Sequence, residues 1–239
     1  MHYCTNEGKD GQLLSAFHTV MRQMSTSSSS VDPSGFLKSL QVVIRAAGNT
    51  TYNFNSQQDA AEVLQHVMEN MSKDSPIAAS TVSTATETTT TCNTCLLSDV
   101  SESKTFCIKV PVQNSVQLAL SKYLATTESE DFCICCREIT PTSHERCITA
   151  TGTYFIVQQK RFCNEIGMIG KDCTQIECFP ENLLVPVGRE GEIRNSLPYE
   201  LVAIINHEGS LSSGHYLAFV KDHSTNKWYN CNDRAVTLS

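Results

Sequence analysis

Two β-prone runs near the end of the chain, with a short polar turn between them, restrict what this region can become. Tyr216–Lys221 is aromatic and aliphatic, Asp222-His223-Ser224-Thr225-Asn226 is a cluster of turn formers, and Trp228–Cys231 resumes strand character. That pattern predicts an antiparallel hairpin. With the turn centred between His223 and Ser224, His215 faces Asn232 directly. Opposed side chains on one face of a hairpin lie about 4.5–5.5 Å apart at Cβ. An Asn oxygen at that distance can accept a hydrogen bond from an imidazole N–H. Such a bond fixes the tautomer and turns the other ring nitrogen outward, as a general base requires. A lone histidine is more often an ordinary surface or core residue. The loop Gly209-Ser210-Leu211-Ser212-Ser213-Gly214 before His215 and the Asn232-Asp233 pair shift the balance toward function.

The run Gly214-His215-Tyr216, followed by Trp228 and Asn232-Asp233, resembles the histidine box of the ubiquitin-specific proteases, papain-like deubiquitinating cysteine proteases. The match has many fixed positions at fixed spacing. It implies that His215 is the catalytic base, that Asn232 orients it, and that Asp233 supports the site. It also implies a substrate-binding place for Tyr216.

A chain of 239 residues is long enough for one sizeable core, or a core with a small satellite module. A net charge of −7 without a long basic run argues against non-specific nucleic-acid binding and suits a partner with a basic face. No apolar run of membrane-spanning length and no secretory signal are present. Twelve cysteines without such a signal point to a reducing compartment, cytosolic or nuclear, in which they serve as thiols or metal ligands.

Upstream, Leu13, Leu14, Phe17, Val20, Met21 and Met24 recur in steps of three and four and predict a core-facing helix over residues 10–24. The Ser/Thr run from Ser25 to Ser30 reads as a flexible connection. Asp32-Pro33 opens a second helix with Phe36, Leu37, Leu40, Val43 and Ile44 on its apolar face. A third helix is expected from Ser56 as N-cap, with Asp59 in its first turn and Val63, Val67 and Met71 as its stripe. On composition alone, Asp59 and Glu62 are a solvated acidic helix start. The segment Gln57-Gln58-Asp59 resembles the Gln-Gln-Asp box of the same protease family. That resemblance implies substrate-binding roles for Gln57, Asp59 and Glu62, the acids gripping arginines of the ubiquitin tail. Val63 stands where the family usually has an aromatic.

Residues 80–91 are rich in Thr, Ser and Val and suit a strand or a polar linker. Cys92-Asn93-Thr94-Cys95 follows, and Cys133-Ile134-Cys135-Cys136 repeats its two-residue gap. Two such knuckles can supply four thiolates in a tetrahedron, the arrangement of a closed structural zinc site. Their separation exceeds the usual ribbon spacing, and a cysteine-rich chain also yields pairs by chance. The family resemblance implies a zinc ribbon at the tip of a β-rich fingers region, with Cys92, Cys95, Cys133 and Cys136 as ligands. Cys135 is the rival to Cys136, which preserves the spacing.

Thr105–Val112 reads as a strand, Val116–Leu124 as a helix, and Thr153–Phe162 and Tyr199–His207 as further strands. Lys160-Arg161-Phe162 resembles the end of a family palm strand, and Cys178-Phe179-Pro180 with Leu183-Leu184-Val185-Pro186 resembles the segment preceding the palm. Strands following helices argue for an α+β class with segregated layers. The resemblance implies a papain-like ubiquitin-specific protease fold truncated at both ends. Its parts are a partial helical thumb (1–75), fingers with a zinc ribbon (76–150) and a β palm (151–239).

A cysteine protease also needs an activated thiol and donors for the oxyanion. The family supplies both from a Gly-Asn-Thr-Cys box, which this sequence lacks. Cys4, in Met1-His2-Tyr3-Cys4-Thr5-Asn6, does not match it, and Gly48-Asn49-Thr50-Thr51-Tyr52 is a decoy with threonine in the cysteine's place. The expectation is a deubiquitinase domain, cleaving ubiquitin from proteins by thiol-dependent hydrolysis, that is inactive as this chain alone. Ubiquitin and ubiquitinated proteins are its expected partners, and nucleic acid and membranes are not. The rival readings are a non-catalytic ubiquitin-binding scaffold and, more weakly, a zinc-ribbon nucleic-acid module.

Overall fold

A computed structural model of the chain describes residues 11–27, 29–48, 52–53, 58–165, 168–176, 182–189, 195–210 and 213–239. The chain divides into two compact units, Met1–Val82 and Ser83–Ser239. The second unit holds the expected palm and residues 83–150 of the expected fingers, while residues 76–82, also assigned to the fingers, belong to the first.

The first unit is helical: α1 (Gln12–Thr26), α2 (Ser34–Ala46), α3 (Ala60–Asp74) and the short α4 (Pro76–Val82). The apolar stripes meet as their spacing requires. Leu13, Leu40, Ile44, Tyr52 and Met71 form a buried core, with Phe17, Phe36, Val43, Val63 and Val67 packed against it. Asp32 sets the start of α2, its carboxylate accepting from the Ser34 N–H and hydroxyl at 2.9 Å each. α3 begins later than expected. Its N-cap is Asp59, whose Oδ1 accepts from the N–H groups of Ala61 and Glu62 at 2.8 and 3.0 Å. A carboxylate meets those orphan donors and the positive end of the helix at once. Ser56 and Gln57 lie outside the described residues. Residues 80–82 also differ from expectation: they close α4, and the strand starts only at Thr84.

The second unit begins with β1 (Thr84–Cys92), β2 (Ser98–Thr105), β3 (Ile108–Val110), α5 (Val116–Leu124), β4 (Thr127–Cys133) and β5 (Glu138–Thr151). Then come β6 (Val157–Gln159), β7 (Phe162–Glu165), β8 (Met168–Lys171), β9 (Asn182–Val187) and β10 (Asn195–Glu200). Its last strands are β11 (Ala203–Gly209), β12 (Gly214–Asp222), β13 (Lys227–Asn232) and β14 (Ala235–Leu238). A six-stranded sheet runs β10-β9-β5-β1-β2 with β4 also on β5; a four-stranded sheet runs β11-β12-β13-β14. β3 pairs with β6 in parallel, and β7 with β8 antiparallel.

α5 occupies the residues its pattern predicts, capped by the Ser115 hydroxyl on the Leu118 N–H at 3.1 Å. Its Leu120 is buried with Ile148 of β5 and Val185 of β9. Fully burying one such side chain contributes roughly 1.5–3 kcal/mol. Gln117 locks the helix to β9 by imitating a ladder pair. Its Nε2 donates to the Leu184 oxygen at 3.0 Å, and its Oε1 accepts from the Leu184 N–H at 2.9 Å.

Three expected strands are shorter or divided. Thr105–Val112 contains a break at Phe106-Cys107, where the Thr105 hydroxyl turns back to the Cys107 backbone. Thr153–Phe162 is a strand only at Val157–Gln159 before β7 begins. Tyr199–His207 is split between sheets. The Tyr199 hydroxyl is held at 2.6 Å from both Thr151 Oγ1 and the Gly152 oxygen, which ties β10 to the large sheet. Leu201-Val202 crosses over, and β11 then joins the other sheet. Among the described residues no helix is long and apolar enough to cross a membrane.

Candidate functional site

The β12–β13 hairpin forms, with a turn two residues longer on its C-terminal side than the sequence predicts. Asp222 builds that turn. Its Oδ1 accepts from the Ser224 N–H at 2.9 Å and the Ser224 hydroxyl at 2.7 Å, and its Oδ2 accepts from the Thr225 hydroxyl at 2.6 Å. Asn226 takes a φ of 57°, a left-handed conformation that Asn tolerates. Asp222 therefore pairs with Lys227 and Ala218 with Cys231. Extending that register puts Leu217, not His215, opposite Asn232. The side-chain period of a strand is two, so His215 still shares a face with Asn232. Diagonal neighbours lie about 7–8 Å apart, within reach of long side chains.

The contact is made: His215 Nε2 lies 2.7 Å from Asn232 Oδ1. An amide oxygen only accepts. Nε2 therefore carries the proton, and the lone pair of a neutral His215 sits on Nδ1. Asp233 follows in a two-residue connection, since Asn232 pairs with Ala235, and its φ of 50° shows the backbone turning sharply there.

On the other side, His215 is the ladder partner of Glu208 and Gly214 that of Gly209. Both glycines are required. Gly209 has a φ of 110°, and a Cβ on it would stand 2.5 Å from the Ser213 oxygen. A Cβ on Gly214 would stand 2.2 Å from His207 Nε2. The Ser210 N–H donates to the Ser213 oxygen at 2.7 Å and closes the loop between them. Tyr216 alternates to the face opposite His215, where its ring lies 4.7 Å from that of His207, its ladder partner.

His207 and Lys171 are site neighbours that the sequence reading missed. Lys171 Nζ donates to the His207 oxygen at 2.6 Å and lies 3.3 Å from His207 Nδ1. The signal the sequence offers is a second histidine ending the strand before the glycine-bounded loop.

The acidic pair sits in the first unit at the start of α3. Asp59 is the N-cap, and Glu62 Oε1 is 3.7 Å from His66 Nε2. Gln57 and Cys4 lie outside the described residues, as do most of the decoy around Thr50 and residues 178–180.

The four expected metal ligands converge. The sulfurs of Cys92, Cys95, Cys133 and Cys136 lie within 4.8 Å of one another. Cys92 and Cys136 are 3.9 Å apart, and Cys95 and Cys133 are 3.6 Å apart. A tetrahedron with Zn–S bonds of ~2.3 Å has edges of about 3.8 Å, so this donor set fits zinc. β1 and β4 flank β5 and bring the knuckles together, and the knuckles share one backbone form. Leu96 N–H donates to the Cys92 oxygen and Arg137 N–H to the Cys133 oxygen, both at 2.8 Å, with φ of 62° and 60°. Cys136 belongs to the cluster, while Cys135 is exposed.

The cluster's acidity is divided. The Thr140 hydroxyl, then the N–H groups of Cys95 and Thr94, hold the Cys92 thiol down to about 6. Cys136 moves the other way, pushed up by its contact with Cys95, by burial and by Cys133. Four thiolates held this close repel one another, and a cation between them offsets that repulsion.

Known proteins supply the family. The whole chain, residues 1–239, matches the family described as "Ubiquitin carboxyl-terminal hydrolase". Ubiquitin carboxyl-terminal hydrolase 25 of Arabidopsis thaliana is 31% identical over 130 residues, covering 54% of this chain and 19% of that protein. Ubiquitin carboxyl-terminal hydrolase 47 of Homo sapiens is 34% identical over 76 residues, covering 32% of this chain and 5% of that protein. Among solved structures, the SAGA Ubp8/Sgf11/Sus1/Sgf73 DUB module bound to ubiquitin aldehyde contains a chain with a TM-score of 0.74 at 20% identity. The match covers 99% of this chain and 57% of that one. A second structure of the module, with a shortened Sgf11, gives a TM-score of 0.77 at 19% identity, covering 99% and 57% of the two chains. These two share the fold with the present chain, which spans little more than half of their length and a smaller part of the curated relatives. The match over its full length makes this chain a member of the ubiquitin carboxyl-terminal hydrolase family, with an α+β ubiquitin-specific protease fold.

Proposed function

We propose that this chain carries the base half of a deubiquitinating site, together with a ubiquitin-recognising helix start and a structural zinc ribbon. The observation carrying this reading is the hydrogen bond from His215 Nε2 to Asn232 Oδ1 at 2.7 Å, in a chain that matches the family throughout. In the reaction, His215 Nδ1 takes the proton of a thiol, and the thiolate attacks the carbonyl carbon of ubiquitin's terminal glycine. The imidazolium gives that proton to the leaving amine as the C–N bond breaks. A water activated by His215 then releases ubiquitin from the thioester. Asn232 keeps the ring in one tautomer throughout, and Asp233 supports the turn beside it. Asp59, Glu62 and Gln57 are assigned to the ubiquitin tail, where two carboxylates suit arginines.

The zinc ligands in this reading are Cys92, Cys95, Cys133 and Cys136. A bound zinc ion would supply folding energy to the tip of β1, β4 and β5 and take no part in the chemistry.

The sequence contains no Gly-Asn-Thr-Cys box. The second reading is a ubiquitin-binding scaffold without turnover, which shares the acidic start of α3 with the first. The deciding experiment pairs ubiquitin titration calorimetry with an activity-based ubiquitin probe. Binding that weakens on Glu62→Gln is expected, and no ubiquitin binding at any accessible concentration would defeat both readings. In a form of the protein that also supplies the thiol, covalent labelling of a cysteine selects the protease, and binding without labelling selects the scaffold.

A further inference from the structure

Lys171 ends β8 and pairs across that hairpin with Phe162. Its ammonium reaches out of this hairpin to the end of β11. It donates to the backbone oxygens of His207 at 2.6 Å and Gly209 at 2.9 Å, and lies 3.3 Å from His207 Nδ1. It also sits 5.9 Å from the centre of the Phe162 ring. An ammonium has three donors and no acceptor, so one side chain can bind all three sites. The His207 ring lies between Phe162, 6.0 Å away edge-on, and Tyr216, 4.7 Å away. Gly214 backs onto that ring so closely that no side chain fits there.

These contacts surround one short piece of backbone. Glu208, between the two oxygens that Lys171 binds, is the ladder partner of His215, and Gly214 immediately precedes His215. The His215 imidazole projects from the opposite face of the sheet, toward Asn232. Lys171 touches neither side chain of that pair, yet it fixes the backbone from which one of them extends.

We propose that Lys171 is a positioning residue for His215. By holding the end of β11 and seating the His207 ring against Gly214, it sets the first residues of β12, and thereby keeps His215 within reach of Asn232. This gives the β7–β8 hairpin a role in the site that its distance from the chemistry conceals. The functional meaning rests on His215 being the base; the geometric claim does not.

The test is the imidazole nitrogen spectrum of His215, recorded on the full chain about two pH units above the ordinary histidine pKa of ~6.5. The wild-type chain is expected to show only the tautomer protonated at Nε2, and Asn232→Ala is expected to relax to the mixture of a free imidazole. Lys171→Met is expected to give a mixture of tautomers, and Lys171→Arg to restore most of the wild-type signal. Ile108→Val, which loosens a separate core cluster, is expected to leave the signal unchanged. An unaltered tautomer in Lys171→Met, or an equal change in Ile108→Val, would overturn the proposal. Should Lys171→Met fail to fold, Gly214→Ala drives a methyl group into the His207 ring and is expected to give the same mixture; the wild-type tautomer there would equally overturn it. Ubiquitin affinity measured on the same samples reports on the functional reading alone. Its absence in the wild-type chain would remove that reading and leave the tautomer result to decide the rest.

Discussion

His215 and Asn232 are hydrogen-bonded at 2.7 Å although they are not partners in the hairpin ladder. The bond spans a diagonal, so it depends on the turn holding an even register: one residue more or fewer would send the two side chains to opposite faces. Because Asn232 acts through its oxygen, what replaces it decides the outcome. In a form of the protein competent for hydrolysis, Asn232→Ala is expected to lower kcat about 10- to 100-fold with little change in KM, the part of a general base's 10²–10⁴ that comes from orientation. Asn232→Asp still offers an acceptor and is expected to retain more activity. Steady-state kinetics on a fluorogenic ubiquitin substrate measure both, and equal losses would separate Asn232 from tautomer control.

Asp59 has two duties that substitution can separate. Its Oδ1 caps α3, and its charge is available to a basic tail. Asp59→Ala removes the cap and is expected to destabilise the helical unit by about 0.5–2 kcal/mol. Asp59→Asn keeps a cap of similar quality but loses the charge. It is expected to leave thermal unfolding nearly unchanged while weakening ubiquitin binding. Calorimetric unfolding and ubiquitin titration on both variants check this, and an Asn variant that binds as wild type would leave Asp59 a structural residue only.

How far the sequence revealed these features depended on whether a residue's role was local. The stripes of α1 and α2 and the whole of α5 follow from apolar spacing, because each helix buries one face. β2 and β4 escaped notice for the opposite reason. Ser98–Thr105 and Thr127–Cys133 are polar and almost entirely exposed, so alternation had nothing to mark. They are strands because β1 and β5 offer them a ladder. The paired knuckles were legible from the Cys-x-x-Cys repeat, and the structure adds why Cys136 belongs: its knuckle copies the backbone of the first. The His215 face was legible from parity, whereas its register was not, because Asp222 and Asn226 together lengthen the turn. Lys171 was invisible, since its partners lie far along the chain and are backbone oxygens, which leave no trace in residue type.

The cysteine cluster predicts a metal stoichiometry. One equivalent of zinc is expected by elemental analysis of the purified chain. Cys92→Ser is expected to abolish it, and Cys135→Ser to leave it intact, because Cys135 is exposed outside the cluster. Chelation is expected to lower the unfolding temperature and to release the tip of β1, β4 and β5 to hydrogen exchange before the α5 core, since metal affinity is folding energy for the segments it joins. A metal-free chain with a protected tip would show that β pairing alone holds the knuckles.

Asp222 sets the acid limit of the hairpin. The Thr225 hydroxyl, followed by the Ser224 hydroxyl and N–H, lowers its carboxyl from 3.8 to about 2. A carboxyl depressed in the folded state contributes stability that is present above its unfolded pKa, ~3.9, and is lost as pH falls through the folded value. The window for Asp222 is therefore about pH 4 down to about 2. Other carboxyls are depressed too, among them Asp32, Asp131, Asp172 and Glu200, so the informative quantity is a difference between proteins. Asp222→Asn is expected to be less stable than wild type at neutral pH, with the gap closing as pH falls through that window. Urea unfolding at a series of pH values measures the gap. A gap that stays constant down to pH 2 would show that the turn does not depend on the charge. Because this turn sets the register that brings His215 to Asn232, the His215 tautomer is expected to blur in Asp222→Asn even at neutral pH, where the chain remains folded.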